Sequence, residues 1–351
     1  IGRDGNGGSI QIRGDQVEVS PTGLLDASGN RDGGDVKVHG ASSLSFNGTA
    51  RANGRFGTGG RVDLFGDEVE VGSSAQITAT GLSGGGRVRI GGDLQGQNDS
   101  VPNATQTTVA EGAQINVDSL GNGNAGSVVA WADGAMDFRG SVSAQAHGVG
   151  NGGFVEVSGK ETLHFSGEVN TLAADGNTGT LLLDPTTITI TSATGIINSI
   201  DPNVIEDSLL MNNVVVSSQW GAPGGLGWIL VEEAIQWDSP NSLSLLATHD
   251  IDFRASVTND GAGDLNIIAG WDHDAILFST FGTSSGGTSS GGTSGPSPSS
   301  AIEPVATRSG VDFGEVLGLE VYASNGSGNV IIDSVTATTI DDGVLDDGVI
   351  V

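Results

Sequence analysis

A pair of glycines recurs along much of the chain at an interval of 26 residues. The spacings between successive doublets are 26, 26, 26, 40, 27 and 26 residues. The last glycines of the doublets, or of their equivalents, are Gly8, Gly34, Gly60, Gly86, Gly126, Gly153 and Gly179. A fixed period of this length indicates stacked units, each too small to bury an apolar face alone. One unit carries an insertion of 40 minus 26, or 14, residues.

Each unit holds three short segments in which apolar and polar residues alternate. A period of two places one set of side chains on one face of a strand. Equivalent positions of successive units carry an aliphatic residue throughout, namely Ile10, Val36, Val62, Val88, Val128, Val155 and Leu181. We therefore predict an all-β protein, a parallel β-helix with three strands per 26-residue coil, whose stacked coils bury these columns.

The spacing inside the unit varies although the total stays fixed. Val17 follows Ile10 by seven residues, whereas Leu44 follows Val36 by eight. We expect the turn between the two segments to absorb this slip. The segment Asp93–Thr108 holds the 14-residue insertion, and its polar composition predicts a loop that leaves one corner.

The composition agrees with many short strands joined by glycine turns. Glycine is the commonest residue, at 59 of 351, and aromatic residues make up 5%. The net charge is −29, from 42 acidic and 13 basic residues, which disfavours nucleic acid and anionic lipid as partners. This charge suits divalent cations, cationic partners or neutral glycans, or it serves only to keep the protein soluble.

Cysteine is absent, which excludes disulfides and thiolate metal sites. No apolar run approaches the length of about 20 residues that a membrane-spanning helix needs. The chain begins at Ile1 without a methionine or a signal peptide, so we expect it to be a processed piece of something longer.

The pattern divides the chain into four parts. Residues 1–190 form the regular β-helix, and residues 191–281 continue it or form a second, less regular β module. Residues 282–300 are a Gly/Ser/Thr-rich linker, and 301–351 a C-terminal β segment. A short helix is predicted near 202–212. Asp201 is placed to cap that helix and Pro202 suits its first position, and we expect the helix to break or cap the stack.

Two stretches, Gly152–Ile190 and Gly227–Gly270, resemble the filamentous-haemagglutinin-like proteins of Gram-negative bacteria, which use two-partner secretion. The first contains GGFVEVSGKETLHFSGEVN followed by GTLLLDPTTITI, and the second contains SLSLLATHDIDFRA followed by GDLNIIAG. The resemblance implies a right-handed parallel β-helix that passes through an outer-membrane secretion pore to the cell surface or medium. It also implies roles in cell adhesion, in biofilm or extracellular filaments, in haemolysis, or as a toxin-delivery shaft. The secretion domain of that family is absent from this sequence.

Residues suited to catalysis are sparse. Lysine occurs only at Lys37 and Lys160, and the alternation around Arg87 and Arg89 predicts that these arginines lie on a solvated strand face. The best His/carboxylate groups are His249-Asp250 and Asp272-His273-Asp274, which are either metal or catalytic residues or ordinary surface turns. No cofactor is predicted apart from Ca²⁺. Its candidate ligands are the acidic turn residues Asp341, Asp342, Asp346 and Asp347.

Aromatic and amide side chains suggest contacts with sugar. Tryptophans can stack on glycans, although they more often fill a core where the coil is irregular. Those in the second part of the chain are Trp220, Trp228, Trp237 and Trp271. Asn98 and Asn103 lie in Asn-x-Ser/Thr sequons on the predicted loop and are candidates for glycosylation.

Three functions remain open from the sequence. The leading hypothesis is a secreted, non-enzymatic surface adhesin or shaft that contacts a glycan, a host cell or a matrix. The second is an extracellular fibre subunit that assembles end to end through the exposed coil ends. The third is a polysaccharide lyase or hydrolase, which would need clustered carboxylates and a basic residue.

Overall fold

The computed structural model describes residues 5–218 and 227–269, together with the backbone of strands at 319–323, 330–332 and 349–350. The described part is mostly β, with parallel sheets and one short α-helix. This agrees with the predicted all-β class and parallel pairing. The linker 282–300 lies outside the described residues.

The strands are short except in the first three units. Their bounds are β1 Ser9–Val19, β2 Leu24–Asp26, β3 Asp35–Phe46, β4 Thr49–Arg51, β5 Arg61–Val71, β6 Gln76–Thr78, β7 Arg87–Ile90, β8 Gln106–Val109, β9 Gln114–Asn116, β10 Ser127–Ala132, β11 Ala135–Phe138, β12 Ser141–Ser143, β13 Ala146–Val149, β14 Phe154–Gly159, β15 Thr162–Phe165, β16 Glu168–Asn170, β17 Ala173–Asp175, β18 Thr180–Leu183, β19 Ile188–Ile190, β20 Ser199–Ile200, β21 Asn213–Ser218, β22 Ile229–Val231, β23 Ile235–Trp237, β24 Leu243–Ala247, β25 Ile251–Phe253, β26 Val257–Asn259, β27 Leu265–Ala269, β28 Leu319–Ala323, β29 Val330–Ile332 and β30 Val349–Ile350. A short 3₁₀ turn spans Leu94–Gly96 and the helix α1 spans Pro202–Leu209.

The largest sheet of the described part, here called the large sheet, has 14 strands. Its order is β15-β11-β8-β5-β7-β10-β14-β18-β21-β24-β27-β28, and β3 joins β5 to β1. Two six-stranded sheets have the orders β16-β12-β9-β6-β4-β2 and β20-β19-β22-β25-β29-β30. The pairs β13-β17 and β23-β26 complete the sheets of the described residues.

The predicted aliphatic column is confirmed by the register of the large sheet. Val36 lies opposite Ile10 and Val62, and Val62 lies opposite Val88. Beyond the insertion the same column continues with the pairs Val88↔Val128, Val128↔Val155 and Val155↔Leu181. Equivalent residues of successive units are therefore direct neighbours, as the repeat predicts.

The first two alternating segments of each early unit form one long strand instead of two. Strand β3 runs from Asp35 to Phe46, and its register against β1 and β5 shifts after Gly40. Two residues of β3, Ala41 and Ser42, there oppose one residue of each neighbour, which is a β-bulge. The bulge absorbs the one-residue slip noted in the sequence.

The inward side chains form one continuous core along the described units. Val62, Leu64 and Ile77 are fully buried, and the rings of Phe138 and Phe165 stack with their centroids 5.9 Å apart. Each such side chain contributes roughly 1.5–3 kcal/mol through removal from water. A second buried apolar row lies on the opposite side of the large sheet and comprises Leu182, Val215, Leu246 and Ile268.

The second glycine of a doublet hydrogen-bonds back to the segment that precedes the doublet. The amide of Gly60 donates to the carbonyl of Ala52 at 2.7 Å, within one unit. The same bond recurs from Gly86 to Ala79 at 2.7 Å. A Cβ atom at Gly59 would lie 1.9 Å from the carbonyl oxygen of Ala79 in the next unit. Close backbone approach, and not a positive φ angle, therefore requires glycine at this position.

The predicted helix is confirmed, and its effect on the stack is smaller than expected. Asp201 caps α1 by accepting a hydrogen bond from the Asn203 amide at 2.9 Å, and Pro202 is the first helical residue. Ile205 and Leu209 point into the core. The expectation that the helix would break or cap the stack is wrong for the large sheet, because β18 pairs directly with β21 across it. The six-stranded sheet that contains β16 ends at that strand, and the helix contacts β16 together with β21 and β23.

None of the helices in the described residues has the length and apolar character needed to cross a membrane.

Candidate functional site

The insertion folds back over the outer face of the large sheet. We call residues 93–105 the strap. Asp93 caps its 3₁₀ turn, and Gln95 and Gly96 adopt positive φ angles of 51° and 63°. Gln95 is buried although its side chain is polar. The prediction of a loop that leaves the corner is therefore wrong for residues 93–96, which are held on the sheet by the contacts described next.

Arg89 anchors the start of the strap. Its guanidinium donates to both Asp63 carboxylate oxygens at 2.7 Å and to Asp93 at 2.7 Å. The central carbon of the guanidinium, Cζ, lies 5.2 Å from the centroid of the Phe65 ring. Burial alone would lower the pKa of Arg89, but the hydrogen bonds and charges of Asp63 and Asp93 raise it. The guanidinium is thus a cation held between two carboxylates.

The predicted solvated arginine face is corrected by this arrangement. Arg89 is only 6% exposed, and Arg87 is half-buried and pairs with Asp93. The alternation of Arg87 and Arg89 with Val88 placed the arginines on the outward face correctly. That face is not solvated here, because the strap covers it.

Two carboxyl groups lie under the centre of the strap. The backbone amide of Gln95 donates to the Glu156 carboxyl at 3.1 and 3.2 Å, and the side-chain amide donates to Asp184 at 3.3 Å. Glu156 and Asp184 are both fully buried. Burial raises the pKa of Glu156 to about 8, and the neighbouring charge of Asp184 adds to the rise. Both effects favour the protonated form of Glu156 over the carboxylate.

Trp131 forms the floor beneath the turn of the strap. It is 1% exposed, and a Cβ atom at Gly96 would lie 2.6 Å from its ring. Its indole nitrogen donates to Asp133 at 2.9 Å, and Asn103 donates to the same carboxylate at 3.1 Å. The indole ring thus packs against Gly96 near the start of the strap, and Asp133 links it to Asn103 near the end of the strap. Sequence reasoning selected neither Trp131 nor the Glu156–Asp184 pair.

A signal for these buried groups is present in the sequence. Strands that are covered on both faces appear as continuous apolar runs instead of alternating ones. Val129 and Leu182 are the direct neighbours of Glu156 at outward positions, and both are apolar. The runs VVAWA and LLLDP therefore indicate that the outward face is covered in this region.

The open grooves on the surface are shallow. One groove of about 290 Å³ is bordered by Asp137, His164 and Ile197. His164 and Arg139 both contact Asp137, at 2.9 and 2.5 Å. Another groove of about 260 Å³ is lined mainly by amide and hydroxyl side chains, including Gln114 and Ser141. Both grooves present hydrogen-bonding groups to solvent and are open along the surface.

The predicted sugar-contacting tryptophans have different environments. Trp237 is 4% exposed, and its indole nitrogen donates to the Asn241 carbonyl at 2.9 Å. It is a core residue, which corrects its assignment as a glycan contact. Trp228 is half-buried and reaches solvent. Trp220 and Trp271 lie outside the described residues.

The remaining candidates are separate from one another. Asn98 is exposed on the strap, but its amide donates to Asp93 at 2.7 Å, and Asn103 is half-buried. His249 and Asp250 form a local pair at 2.7 Å. Asp272-His273-Asp274 and the four candidate Ca²⁺ ligands Asp341, Asp342, Asp346 and Asp347 lie outside the described residues. Among the residues that are described, no three His, Cys, Asp or Glu side chains group in a way suited to a metal ion.

No protein-family model matches the chain, and no curated protein matches it significantly.

Proposed function

We propose that the chain is a right-handed parallel β-helix that forms the shaft of a secreted, non-enzymatic adhesin at the surface of a Gram-negative bacterium. In this proposal the stack of units acts as a stiff rod, and its sides contact a glycan, a cell or a matrix. The handedness, the export through an outer-membrane pore and the kinship with filamentous-haemagglutinin-like proteins are parts of the proposal.

The observation that carries the proposal is the in-register stacking of the units. Each unit buries its inward residues against the next, as in the Val36, Val62 and Val88 column. Such a solenoid has a filled interior, so contacts with partners occur on its sides. The carboxyl pair Glu156 and Asp184 is fully buried beneath the strap. A pair without solvent access supports a structural role over hydrolysis or elimination of a polysaccharide.

The adhesive part of the proposal is tested with the purified chain on immobilised neutral glycans and on cells. We expect retention on at least one of these surfaces and no release of reducing or unsaturated sugar. Trp228→Ala is expected to weaken glycan retention because Trp228 is the half-buried member of the predicted tryptophans. Leu210→Ala, at an exposed apolar residue elsewhere, is the control.

Two results would contradict this function. One is release of sugar from an acidic polysaccharide, which would indicate an enzyme. The other is absence of retention on every surface for a chain whose β circular dichroism shows that it is folded. Electron micrographs of the same sample test the rod independently, since a globular particle would contradict the β-helix.

A further inference from the structure

Large apolar side chains are exposed along one corner of the stack. Eight large apolar residues of the described part are exposed, and four of them lie on this corner. We call these four residues the corner stripe. They are Phe56, Leu82, Leu120 and Val149, which are 58%, 42%, 53% and 59% exposed. An exposed apolar patch of this kind commonly marks an interaction site.

The four residues belong to consecutive units. Isolated parallel bridges join Gly54 to Gly81, Gly81 to Ser119 and Ser119 to Ala146, and the members of the stripe follow these bridged residues by one to three positions. The side chain of Leu82 lies over Gly121, where a Cβ atom would be 2.9 Å from the Leu82 Cδ1 atom. Successive units are separated by about 4.8 Å. Leu82 and Leu120 are therefore direct neighbours, and Phe56 and Val149 flank them, offset along the chain, so that the stripe is a ridge that follows the corner.

The corner around the stripe is poor in exposed acidic residues, because the nearby Asp118, whose carboxylate lies 3.3 Å from the His147 ring nitrogen, is buried. The segments 54–57, 81–84, 119–124 and 146–151 contain Arg55 and His147 as their only ionisable residues. The whole chain, in contrast, has 42 acidic residues and a net charge of −29. The ridge is thus a neutral strip on a strongly negative protein, where a second copy can approach with the least repulsion.

Opposite charges stand at the two ends of the ridge. At one end Arg31 is 70% exposed, and Arg55 lies 5.0 Å from the centroid of the Phe56 ring. With the neighbouring Asp32, which contacts Arg31, this end carries two cations and one anion, or +1. At the other end the exposed Asp175 pairs in register with Val149. From end to end the ridge has the order basic, apolar, acidic.

The ridge is held rigid by bonds between units. The Asn122 side chain accepts from the Val149 amide at 3.1 Å, and Asn124 accepts from the Asn151 amide at 2.9 Å. The Ser83 hydroxyl donates to the Phe56 carbonyl at 2.9 Å. A surface that is already ordered loses less conformational entropy when it binds.

We propose that the corner stripe binds a second copy of this chain side by side and antiparallel. A twofold axis between Leu82 and Leu120 places each leucine against the other leucine of the second copy. The same operation sets Arg31 against Asp175 at both ends. A parallel arrangement would instead place Arg31 against Arg31. This lateral pairing is distinct from end-to-end assembly and does not depend on the adhesive function. A single ridge buries little area, so the dimer is weak and depends on concentration.

Sedimentation of the 351-residue chain over a range of concentrations tests the pairing. We expect a monomer–dimer equilibrium, and we expect Leu120→Asp to raise its Kd by at least about tenfold. Ile197→Asp changes an equally apolar side chain, 72% exposed, away from the corner and should leave the Kd unchanged. A chain that stays monomeric, or a dimer that Leu120→Asp does not weaken, overturns the proposal.

Charge reversal tests the antiparallel order. Arg31→Asp and Asp175→Arg each place like charges together and should weaken the dimer, whereas the double variant restores the pairing. Failure of the double variant to recover rejects this arrangement.

Cross-linking gives a second test, because the chain has no cysteine of its own. Phe56→Cys and Val149→Cys should form a mixed disulfide when the two variants are combined. Disulfides that form preferentially between identical variants would show a parallel pair and overturn the proposal.

Discussion

At the scale of single residues, recurring glycines allow the backbones of neighbouring units to touch. Gly59 packs against the Ala79 carbonyl of the next unit, and Gly33 packs in the same way against the Ala52 carbonyl. In both places an added Cβ atom would lie 1.9 Å from a backbone oxygen, which cannot move as a side chain can. The recurrence of glycine therefore follows from contact between units.

Gly59→Ala is expected to destabilise the protein by about 2–4 kcal/mol, because relief of the clash requires the units to separate. Gly8→Ala is the control, since nothing lies within 4 Å of a Cβ atom there. Thermal and urea unfolding followed by circular dichroism measures the difference between the two variants. Equal stability of both variants would contradict the contact argument.

The buried Glu156 makes stability depend on pH. Its pKa is about 8 in the folded chain and about 4.5 as an ordinary glutamate, so the folded state holds the extra proton between these values. The free energy of unfolding therefore falls by an amount on the order of a few kcal/mol as the pH rises from about 4.5 to 8. Above this range it no longer changes through Glu156.

Glu156→Gln keeps the shape of the side chain and removes the titration. We expect the variant to lose this pH slope and to be more stable than the parent chain at pH 8. Glu168→Gln, at an exposed glutamate, should retain the slope. Urea unfolding at intervals between pH 4.5 and 8.5 measures the slope of the unfolding free energy against pH. An unchanged slope in Glu156→Gln would show that another group causes the pH dependence.

At the scale of elements, the strap is held by charges as well as by shape. Arg89→Met would leave the buried Asp63 and Asp93 carboxylates without the guanidinium between them, at a cost of about 3–5 kcal/mol. Arg139→Met removes an exposed pair with Asp137 and should change little. Limited proteolysis is expected to cut the strap faster in Arg89→Met only. Equal cutting of the two variants would mean that the ion pairs do not hold the strap.

The sequence predicts those features that repeat or that depend on neighbouring residues. The Val36, Val62 and Val88 column and the Asp201 cap are of this kind. The position of the strap was not predictable from alternation, because Arg89 alternates like a solvated residue and its cover comes from a segment with a polar composition. The Glu156–Asp184 pair was missed for the same reason, although the apolar neighbours Val129 and Leu182 gave a signal.

At the scale of the whole molecule, the common register makes the early units interchangeable. Ile10 and Val62 both pair with Val36, so they occupy the same column on either side of one unit. The outer segments agree as well, because β1 and β5 both have one residue where β3 has two at the bulge. Stability in such a stack is approximately a sum over units and the interfaces between them.

Deletion of residues 35–60 removes 26 residues and joins Gly34 to Arg61. In the shortened chain Ile10 lies directly opposite Val62, and the β-bulge is absent. We expect this variant to keep its parallel β circular dichroism and to melt within about 10 °C of the full chain. Deletion of residues 35–47 is the control, because it removes half a unit and places outward segments against inward ones. Its melting transition should be lost or strongly lowered. If the 26-residue deletion unfolded like the 13-residue one, the units would not be interchangeable and the column would not be the source of cohesion.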